Sequence, residues 1–313
     1  MRMLHPKVTV VGSANVDLVL RAERMPIKGE TLIGNAFDIF TGGKGFNQAA
    51  AAARLGADVT LIAKIGDDPF ADILQSAIDA ENINTEFVKT DAEAGTGVAT
   101  IIVEPDGKNS IIVVPRANMR LTPADIDVAK NSIAEADVLL LQLETPIDTS
   151  EHAIEIAKAN ETIVILDPAP ARPLPATLLS QVDILKPNEV EAGVLSGRAV
   201  STPEERIAAA KALQSQIASD GISAVVLTLG EQGVLIYTQS QTTHIPAIAV
   251  EVVDTTGAGD AFSGALATTL AEDKPLIEAV KFANAAGAAA VTTLGATPSM
   301  PTQERIKEIL SYT

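Results

Sequence analysis

Residues 252–265, VVDTTGAGDAFSGA, run from an apolar segment through a glycine-rich turn into a stretch of small residues. The pattern predicts a strand, a tight turn and a helix that begins near Asp260. Gly257 and Gly259 allow backbone N–H groups to point into one concavity at the helix N-terminus, which suits a phosphate or an oxyanion. Asp260 lies among these donors, where its carboxylate can take a proton from an attacking hydroxyl. The turn alone is equally compatible with a plain strand–helix connection that Asp260 caps.

The chain before and after this turn, from about residue 136 onward, alternates short aliphatic runs with alanine-rich stretches. The aliphatic runs predict buried strands at 138–144, 162–168, 182–187, 224–230 and 233–238. The other stretches predict helices at 149–160, opened by a hydroxyl N-cap, at 189–197 and at 201–219. This alternation indicates an α/β protein with a Rossmann-like three-layer α/β/α core and a mostly parallel sheet. Ligands in such folds bind beyond the carboxyl ends of the strands.

The first 120 residues differ, because period-2 alternation is mixed with core segments. Core strands are predicted at 7–13 and 59–66, and a helix at 43–57. Alternating segments occur at 15–23, 30–40, 97–105 and 109–115, with Asp106-Gly107 as a hairpin turn. We expect these strands to form a small β-sheet lid, from about 15–41 and 96–118, that protrudes over the site. Without a repeat or a long linker, one domain over 1–313 is expected.

The charge of the chain argues against polyanionic partners. Its 313 residues include 23 Lys+Arg against 40 Asp+Glu, which gives a formal net charge of −17. Nucleic acid is an unlikely partner for such a chain, since a phosphate backbone requires a basic surface. With 47% hydrophobic residues, the chain can bury a large core.

Several chemistries are disfavoured by the residues that are missing or scattered. The sequence has no cysteine, which removes disulfides, thiolate catalysis and Cys-ligated metal centres. His5, His152 and His244 are far apart, so a histidine metal site or a catalytic triad is not expected. The first residues carry no secretory pattern, and no apolar run approaches the roughly eighteen residues of a membrane span. We therefore expect a cytoplasmic protein that binds neither nucleic acid nor membrane.

Two familiar phosphate motifs are absent. The pattern GxxxxGK[ST] does not occur, and the spacing of Gly257, Gly259 and Gly264 is not GxGxxG. The first predicted strand ends in Gly12-Ser13-Ala14-Asn15, which also lacks that fingerprint. NAD-dependent redox chemistry is therefore disfavoured.

A second glycine-rich segment, TGGKGFNQAA at 41–50, precedes the predicted helix at 43–57. Its glycines let the backbone approach a ligand, Lys44 supplies a cation, and the amide of Asn47 suits a neutral polyhydroxyl ligand. A glycine-rich loop with a solvated lysine would look the same. Further polar residues fall at predicted strand ends, where they suit sugar hydroxyls and hydrated Mg²⁺: Asn15, Asp17, Glu144, Asn188, Glu191, Thr228 and Gly230.

The two glycine-rich segments resemble the paired signatures of the ribokinase/PfkB-type carbohydrate kinase family. They occur in the right order, PNEVE and TLGEQG fit between them, and the resemblance extends from GSANVDLVL to GATPSMP. The segments NVDLV, GETLIGN, GGKGxNQA, LQLE and DPAPA are most similar to those of ribokinases. The resemblance implies ATP-dependent phosphorylation of a primary sugar hydroxyl, O5 of D-ribose. It also implies Mg²⁺, an activating K⁺, and a lid that clasps a homodimer.

Residue roles follow from the resemblance position by position. Asp260 falls on the catalytic base, and the anion hole for the γ-phosphate falls on Gly257, Ala258 and Gly259. Sugar-binding positions are Asn15, Asp17, Gly43, Lys44, Asn47, Glu144 and Asp260. Nucleotide-binding positions are Asn188, Thr228, Gly230, Gly233, Gly259 and Asn284. The Mg²⁺ region contains Glu191, and the K⁺ positions are Asp254, Thr256, Ala290, Thr293, Gly295 and Ser299.

One departure from the family leaves the sugar open. Phe46 stands where ribokinases usually carry a small residue, and it precedes Asn47. A ring that faces the pocket would select a different sugar, whereas a ring that faces the core or lid would change nothing. Alternatives are a kinase for deoxyribose, fructose, a nucleoside or a ketodeoxy sugar acid, the last requiring Arg116 or Arg120 near the pocket. A non-catalytic sugar sensor is the alternative from another class.

Overall fold

The computed structural model describes residues 5–105, 109–218 and 221–311. Its strands, in chain order, are β1 Lys7–Val11, β2 Asn15–Arg21, β3 Ala36–Gly42, β4 Asp58–Gly66, β5 Val88–Asp91, β6 Gly97–Val103, β7 Asn109–Val114, β8 Val138–Leu141, β9 Ile163–Leu166, β10 Ile184–Leu185, β11 Ala224–Thr228, β12 Val234–Thr238 and β13 Thr242–Ile245. Its α-helices are α1 Lys44–Arg54, α2 Pro69–Ala80, α3 Pro123–Val128, α4 Lys130–Ala134, α5 Ile147–Ala159, α6 Ala176–Leu179, α7 Glu189–Ser196, α8 Pro203–Gln214, α9 Ala258–Ala271, α10 Leu276–Ala290 and α11 Gln303–Leu310.

The large sheet is mostly parallel, as the alternating pattern predicted. Within the described ranges its order is β13-β12-β11-β10-β9-β8-β1-β4-β5, and only the pairs β11–β12 and β12–β13 are antiparallel. The central strands are continuous aliphatic runs because both of their faces are buried, and Val138–Leu141 is fully buried throughout. The predicted α/β fold class is confirmed.

Helices cover both faces of this sheet and leave its carboxyl ends free. One core cluster packs α1, α9 and α10 against one face, and a second packs α5, α7 and α8 against the other. Small residues bring α1 and α9 very close together. A Cβ added at Gly264 of α9 would lie 2.6 Å from the Cβ of Ala51 and 2.7 Å from the carbonyl oxygen of Gln48. This close approach sets the start of α9 against the start of α1.

The small sheet has the order β3-β2-β6-β7. The pair β2–β6 is parallel, and the other two pairs are antiparallel. Its inner face carries a small apolar cluster formed by Val19, Ala99, Ile101, Phe40 and Val103. The two strands of the predicted hairpin do pair as β6 and β7, whereas the predicted turn at Asp106-Gly107 lies outside the described residues.

Some predicted elements differ from the structure. Val252 and Val253 form no strand. Instead of packing in the core they are 61% and 58% exposed, and they line cavities beside α9. The predicted strand 30–40 forms only from Ala36 onward. The predicted helix 149–160 begins at Ile147 without a hydroxyl cap, and the hydroxyl of Thr149 instead donates to the carbonyl of Leu121 at 2.9 Å. The predicted helix 201–219 ends at Gln214.

No helix among the described residues combines the length and the apolar character needed to cross a bilayer.

Candidate active site

Two neighbouring cavities lie at the carboxyl ends of the parallel strands. The larger has a volume of about 1050 Å³ and the smaller about 680 Å³, and they share Val252 and Thr255 in their walls. The larger cavity lies over the start of α9, and the smaller one lies under the inner face of the small sheet. Half of the predicted site residues line the larger cavity: Lys44, Asn188, Glu191, Thr228, Gly230, Gly233, Gly257, Ala258, Gly259, Asp260 and Asn284.

Asp260 lies in the first turn of α9 and is 6% exposed. Its Oδ2 accepts a hydrogen bond of 2.9 Å from Asn47 Nδ2, and its Oδ1 accepts one of 2.9 Å from Gln48 Nε2. The helix is capped by Gly257, whose carbonyl accepts from the N–H of Ala261. The interpretation in which Asp260 merely caps the helix is therefore wrong. A carboxylate held by two donors keeps free lone pairs with which it can accept a proton.

The turn before α9 has the shape expected of an anion site. Gly257 has φ of 78°, a conformation that favours glycine, and no side chain caps the helix. The first amides of a helix without a side-chain cap can donate to a ligand, and the helix dipole adds to their attraction for negative charge. Here the N–H of Ala258 makes a long hydrogen bond of 3.3 Å to the carbonyl of Thr255. Gly259 borders the same cavity, and its carbonyl accepts from Lys186 Nζ at 3.3 Å.

A buried ion pair beside this turn was not predicted from the sequence. Lys186 Nζ lies 2.9 Å from Asp167 Oδ2, and both side chains are less than 5% exposed. Ser263 donates to the same oxygen at 3.1 Å, and Gln48 donates at 2.9 Å. The other oxygen, Oδ1, is buried and has no hydrogen-bond partner in the part of the chain that the structure describes. Asp167 follows β9 and Lys186 follows β10, so the strand-end rule applied to Asn188 and Glu144 would have found both.

Lys44 begins α1 and lines the larger cavity rather than only the sugar side. Burial acts to lower the pKa of its ammonium, but the carboxylates around it more than offset this and raise the pKa above its ordinary value. In decreasing order of effect, these carboxylates are Asp260, Asp167, Glu144 and Glu191. Lys44 is therefore a permanent cation between the acidic groups of the site.

The remaining predicted sugar residues surround Lys44 and Asp260. Glu144 Oε2 accepts from the hydroxyl of Ser13 and from the N–H of Lys44 at 3.2 Å. Asn15 Oδ1 accepts from Asn118 Nδ2 at 2.7 Å, which orients its amide. The backbone at Gly43 is so tightly packed that an added Cβ would lie 2.7 Å from the backbone N of Asn15.

Asp17 projects from β2 into the smaller cavity and is 8% exposed. Burial, together with the smaller effects of the nearby charges of Glu144 and Asp260, raises the pKa of its carboxyl from 3.8 to about 7. A carboxylate so poorly solvated favours a ligand whose hydroxyl groups can donate to it.

The predicted nucleotide residues form the far wall of the larger cavity. Asn188 caps α7 and forms a reciprocal capping box with Glu191, so that both oxygens of Glu191 accept from Asn188. Burial and the charge of Asp167 raise the pKa of Glu191. Thr228 ends β11 beside the cap, and Asn284 of α10 donates to the carbonyl of Pro246 at 2.9 Å.

The predicted potassium residues gather in one loop region beside the smaller cavity. Asp254 Oδ1 accepts from the N–H and hydroxyl of Thr256, and its Oδ2 accepts from the N–H of Gly295 at 2.9 Å. Burial acts to raise the pKa of Asp254, but these hydrogen bonds lower it overall. In the same turns, the N–H of Thr293 donates to the carbonyl of Ala290 at 3.1 Å, and the hydroxyl of Ser299 donates to the carbonyl of Thr256 at 3.4 Å.

Other open questions from the sequence have structural answers. Phe46 is fully buried in the core cluster of α1 and α9, so its ring does not face a cavity. Arg116 pairs with Asp68, and Arg120 pairs with Asp91 and Glu93. Neither arginine lines the two cavities, so neither supports the alternative of an acidic sugar.

Known proteins resemble this chain over almost its whole length. A family model described as pfkB family carbohydrate kinase matches residues 5–303. The chain is 43% identical over 305 residues to a ribokinase of Staphylococcus aureus (strain COL), with 97% of this chain and 99% of the relative covered. It is 40% identical over 305 residues to a deoxyribokinase of Salmonella typhimurium (strain LT2), with 97% and 98% covered.

A solved structure is also closely similar. The structure of Arabidopsis thaliana ribokinase complexed with ribose and ATP matches with a TM-score of 0.90 at 32% identity, and covers 99% of this chain and 100% of that chain. Together with the site described above, these matches show that the chain belongs to the pfkB family of carbohydrate kinases and is an ATP:sugar phosphotransferase.

Proposed function

We propose that this protein transfers the γ-phosphoryl group of ATP to O5 of D-ribose, with Asp260 as the general base. The observation that carries the proposal is the carboxylate of Asp260, which Asn47 and Gln48 hold at the start of α9 in the wall of the larger cavity. The sugar binds in the smaller cavity and ATP in the larger one. Relatives named ribokinase, and the similarity to a ribokinase complexed with ribose and ATP, support ribose as the substrate.

In this mechanism Asp260 accepts the proton of the sugar hydroxyl as that oxygen attacks the γ-phosphorus. The amides of Gly257, Ala258 and Gly259, aligned with the dipole of α9, stabilise negative charge on the transferring group. Lys44 adds a fixed positive charge. On the sugar side, Asn15, Asp17, Gly43, Asn47 and Glu144 bind and orient the hydroxyl groups. Asn188, Thr228, Gly230, Gly233 and Asn284 bind the nucleotide.

The acidic side chains of the larger cavity fit a divalent cation. Asp167 lines the larger cavity and its buried Oδ1 accepts from none of the described residues, whereas both oxygens of Glu191 accept from Asn188. Asp167 is therefore the residue that would hold Mg²⁺ or one of its waters, with Glu191 adding charge nearby. The ion would neutralise the phosphates of ATP and the charge that develops during transfer.

The loop of Asp254 fits a monovalent cation. Asp254 accepts from the neutral donors Thr256 and Gly295, and the carbonyls of Thr256 and Ala290 accept from Ser299 and Thr293 in the same turns. One carboxylate among neutral carbonyl oxygens is a weakly charged set that suits K⁺ better than a divalent ion. The residues that would hold K⁺ are Asp254, Thr256, Ala290, Thr293, Gly295 and Ser299. Because Thr256 directly precedes Gly257, an ion here would steady the turn that forms the anion hole.

The small sheet would act as a lid and as the contact between two copies of the chain. Its two edge strands, β3 and β7, expose six apolar side chains, which together we call the lid surface: Phe37, Ile39, Ile111, Ile112, Val113 and Val114. An exposed apolar edge tends to pair with another, and a second copy offers the same surface in a closed twofold arrangement.

We assign the reaction to the cytoplasm, where ATP is available.

The function is tested by measuring ADP release with a panel of sugars, in the presence and absence of K⁺. We expect D-ribose to be the best substrate and K⁺ to increase the rate. Turnover of 2-deoxyribose in preference to ribose would identify a deoxyribokinase instead, a possibility that the Salmonella relative supports.

The role of the base is tested with Asp260→Asn. A positioned base contributes a factor of about 10² to 10⁴ in rate, so kcat should fall by that factor while ribose still binds. Asp273→Asn, which makes the same chemical change at the exposed far end of α9, should keep wild-type kcat. A wild-type kcat in Asp260→Asn would refute the assignment.

A further inference from the structure

Gln48 links two carboxylates of the site through a single amide group. Gln48 follows Asn47 in α1, and its side chain is completely buried. Nε2 donates to Asp260 Oδ1 at 2.9 Å and to Asp167 Oδ2 at 2.9 Å. A primary amide has two N–H bonds, so both are used and each goes to a different acid.

A hydrogen bond from Gln142 fixes the orientation of the Gln48 amide. Gln48 Oε1 accepts a hydrogen bond of 2.6 Å from Nε2 of Gln142, which is also completely buried. A flipped amide would turn Oε1 toward Asp260 and Asp167 and Nε2 toward the donor of Gln142. Acceptor would then face acceptor and donor would face donor, so only the observed orientation satisfies the network.

Asn47 and Gln48 both hold Asp260, but only Asn47 falls on a predicted sugar-binding position. Asn47 holds the other oxygen of Asp260 and belongs to the predicted sugar site. Gln48 is not among the residues that line either cavity, and its amide is used up by Asp260, Asp167 and Gln142. Any effect of Gln48 on the reaction must therefore pass through the groups that it holds.

We propose that Gln48 is a positioning residue that fixes the catalytic carboxylate of Asp260 relative to Asp167 and its partner Lys186. The proposal rests on the proposed function, since it assumes that Asp260 is the base. The two N–H dipoles of the bridging amide offset part of the repulsion between the carboxylates, and the bond to Asp260 aims its free lone pairs at the attacking hydroxyl. Gln142 acts one step further out, because it holds the amide of Gln48 in its single productive orientation.

The test uses Gln48→Met, which nearly preserves the length and volume of the side chain but removes both donors. Misplacement of a reacting group by about 1 Å costs on the order of 100-fold in rate, so kcat should fall about 10- to 100-fold. KM for ATP and for ribose should remain close to wild type, because Gln48 touches neither cavity. Gln214→Met makes the same change at a buried glutamine of α8 outside the site, and should leave kcat unchanged.

A double-mutant cycle separates positioning from a general structural effect. If Gln48 acts through Asp260, Gln48→Met should reduce kcat strongly in the wild type but very little in an Asp260→Asn background. Equal losses in both backgrounds, or wild-type kcat in Gln48→Met, would overturn the proposal. If Gln48→Met does not fold, Gln142→Met replaces it in the same cycle, with a smaller loss expected in kcat and unchanged kcat overturning the proposal.

The two proposals fail in distinguishable ways. A wild-type protein without ribose kinase activity, or an active Asp260→Asn variant, would refute the proposed function. An active wild type, an impaired Asp260→Asn and a normal Gln48→Met would refute only the positioning role.

Discussion

Asp17 combines a buried position with two acidic neighbours, and its pKa of about 7 falls in the range where the enzyme would work. Because its pKa in the folded protein is raised, the protonated form is the one that folding favours. The stability that this provides is complete below the unfolded pKa and is lost as the pH rises through about 7.

Asp17→Asn should remove this dependence. Between pH 5 and pH 8, at 1.4 kcal/mol per pK unit, we expect the ligand-free wild type to lose on the order of 2 kcal/mol relative to the variant. Urea unfolding of both proteins at the two pH values measures the difference. Parallel stability curves for the two proteins would contradict the raised pKa.

The sequence predicted some site residues and not others, for a physical reason. Asp260, Asn47 and Asp17 lie in or beside glycine-rich turns and strand ends, where local pattern indicates a ligand. Gln48 and Gln142 are 94 positions apart and acquire their roles only when α1 packs beside β8. A buried hydrogen-bond network of this kind depends on tertiary contacts, which neither spacing nor composition reports.

At the scale of elements, the start of α9 depends on the backbone conformation of Gly257. With φ of 78°, any other residue is strained there, and a Cβ would lie 2.7 Å from the terminal methyl group of Met300. Gly257→Ala should therefore shift the turn that presents the amides, and should lower both stability and kcat. We expect a stability loss of about 1 to 2 kcal/mol and a loss in kcat of at least about tenfold.

Gly197 provides a matched control for this change. It has a similar φ of 65° at the end of α7, but a Cβ added there would meet nothing within 4 Å. Gly197→Ala should lose about the same stability as a result of backbone strain, with kcat unchanged. Thermal unfolding and steady-state kinetics on both variants measure the two effects, and equal losses of kcat would contradict a special role for the turn.

The strand predicted wrongly at Val252 and Val253 shows again that tertiary surroundings are not visible in a sequence pattern. Val252 and Val253 have the apolar pattern of a strand, yet they are exposed and line the cavities. Apolar residues that a ligand covers look the same in sequence as residues that a core covers. The buried strands β8 and β9 were predicted correctly because turn signals and helices flank their aliphatic runs.

At the scale of the whole molecule, an acidic protein with a net charge of −17 binds a polyanionic substrate. The site itself is acidic, since Asp17, Glu144, Asp167, Glu191 and Asp260 outnumber the two cations Lys44 and Lys186. In the proposed function, phosphate binding depends on helix amides and on Mg²⁺ rather than on basic side chains. An acidic surface disfavours an extended polyanion such as nucleic acid, whereas a single nucleotide needs its charge neutralised at one site only.

The lid surface leads to a prediction about assembly. Ile112 is 61% exposed and Phe37 is 57% exposed on the two edge strands of one small sheet, which is a large apolar area for a monomer to leave in water. We therefore expect the wild type to sediment at about twice 32.5 kDa at micromolar concentration. Ile112→Lys places a charge in the centre of this contact and should sediment as a single chain, since a buried, unpaired ammonium strongly opposes association.

Val128→Lys is the control for this substitution. Val128 is 63% exposed at the end of α3, outside the small sheet, so the same change there should leave the dimer intact. If both variants became monomeric, a general effect of added charge would explain the result better than the lid surface. A wild type that sediments at 32.5 kDa would contradict the dimer itself, because the apolar edges of β3 and β7 would then remain in contact with water.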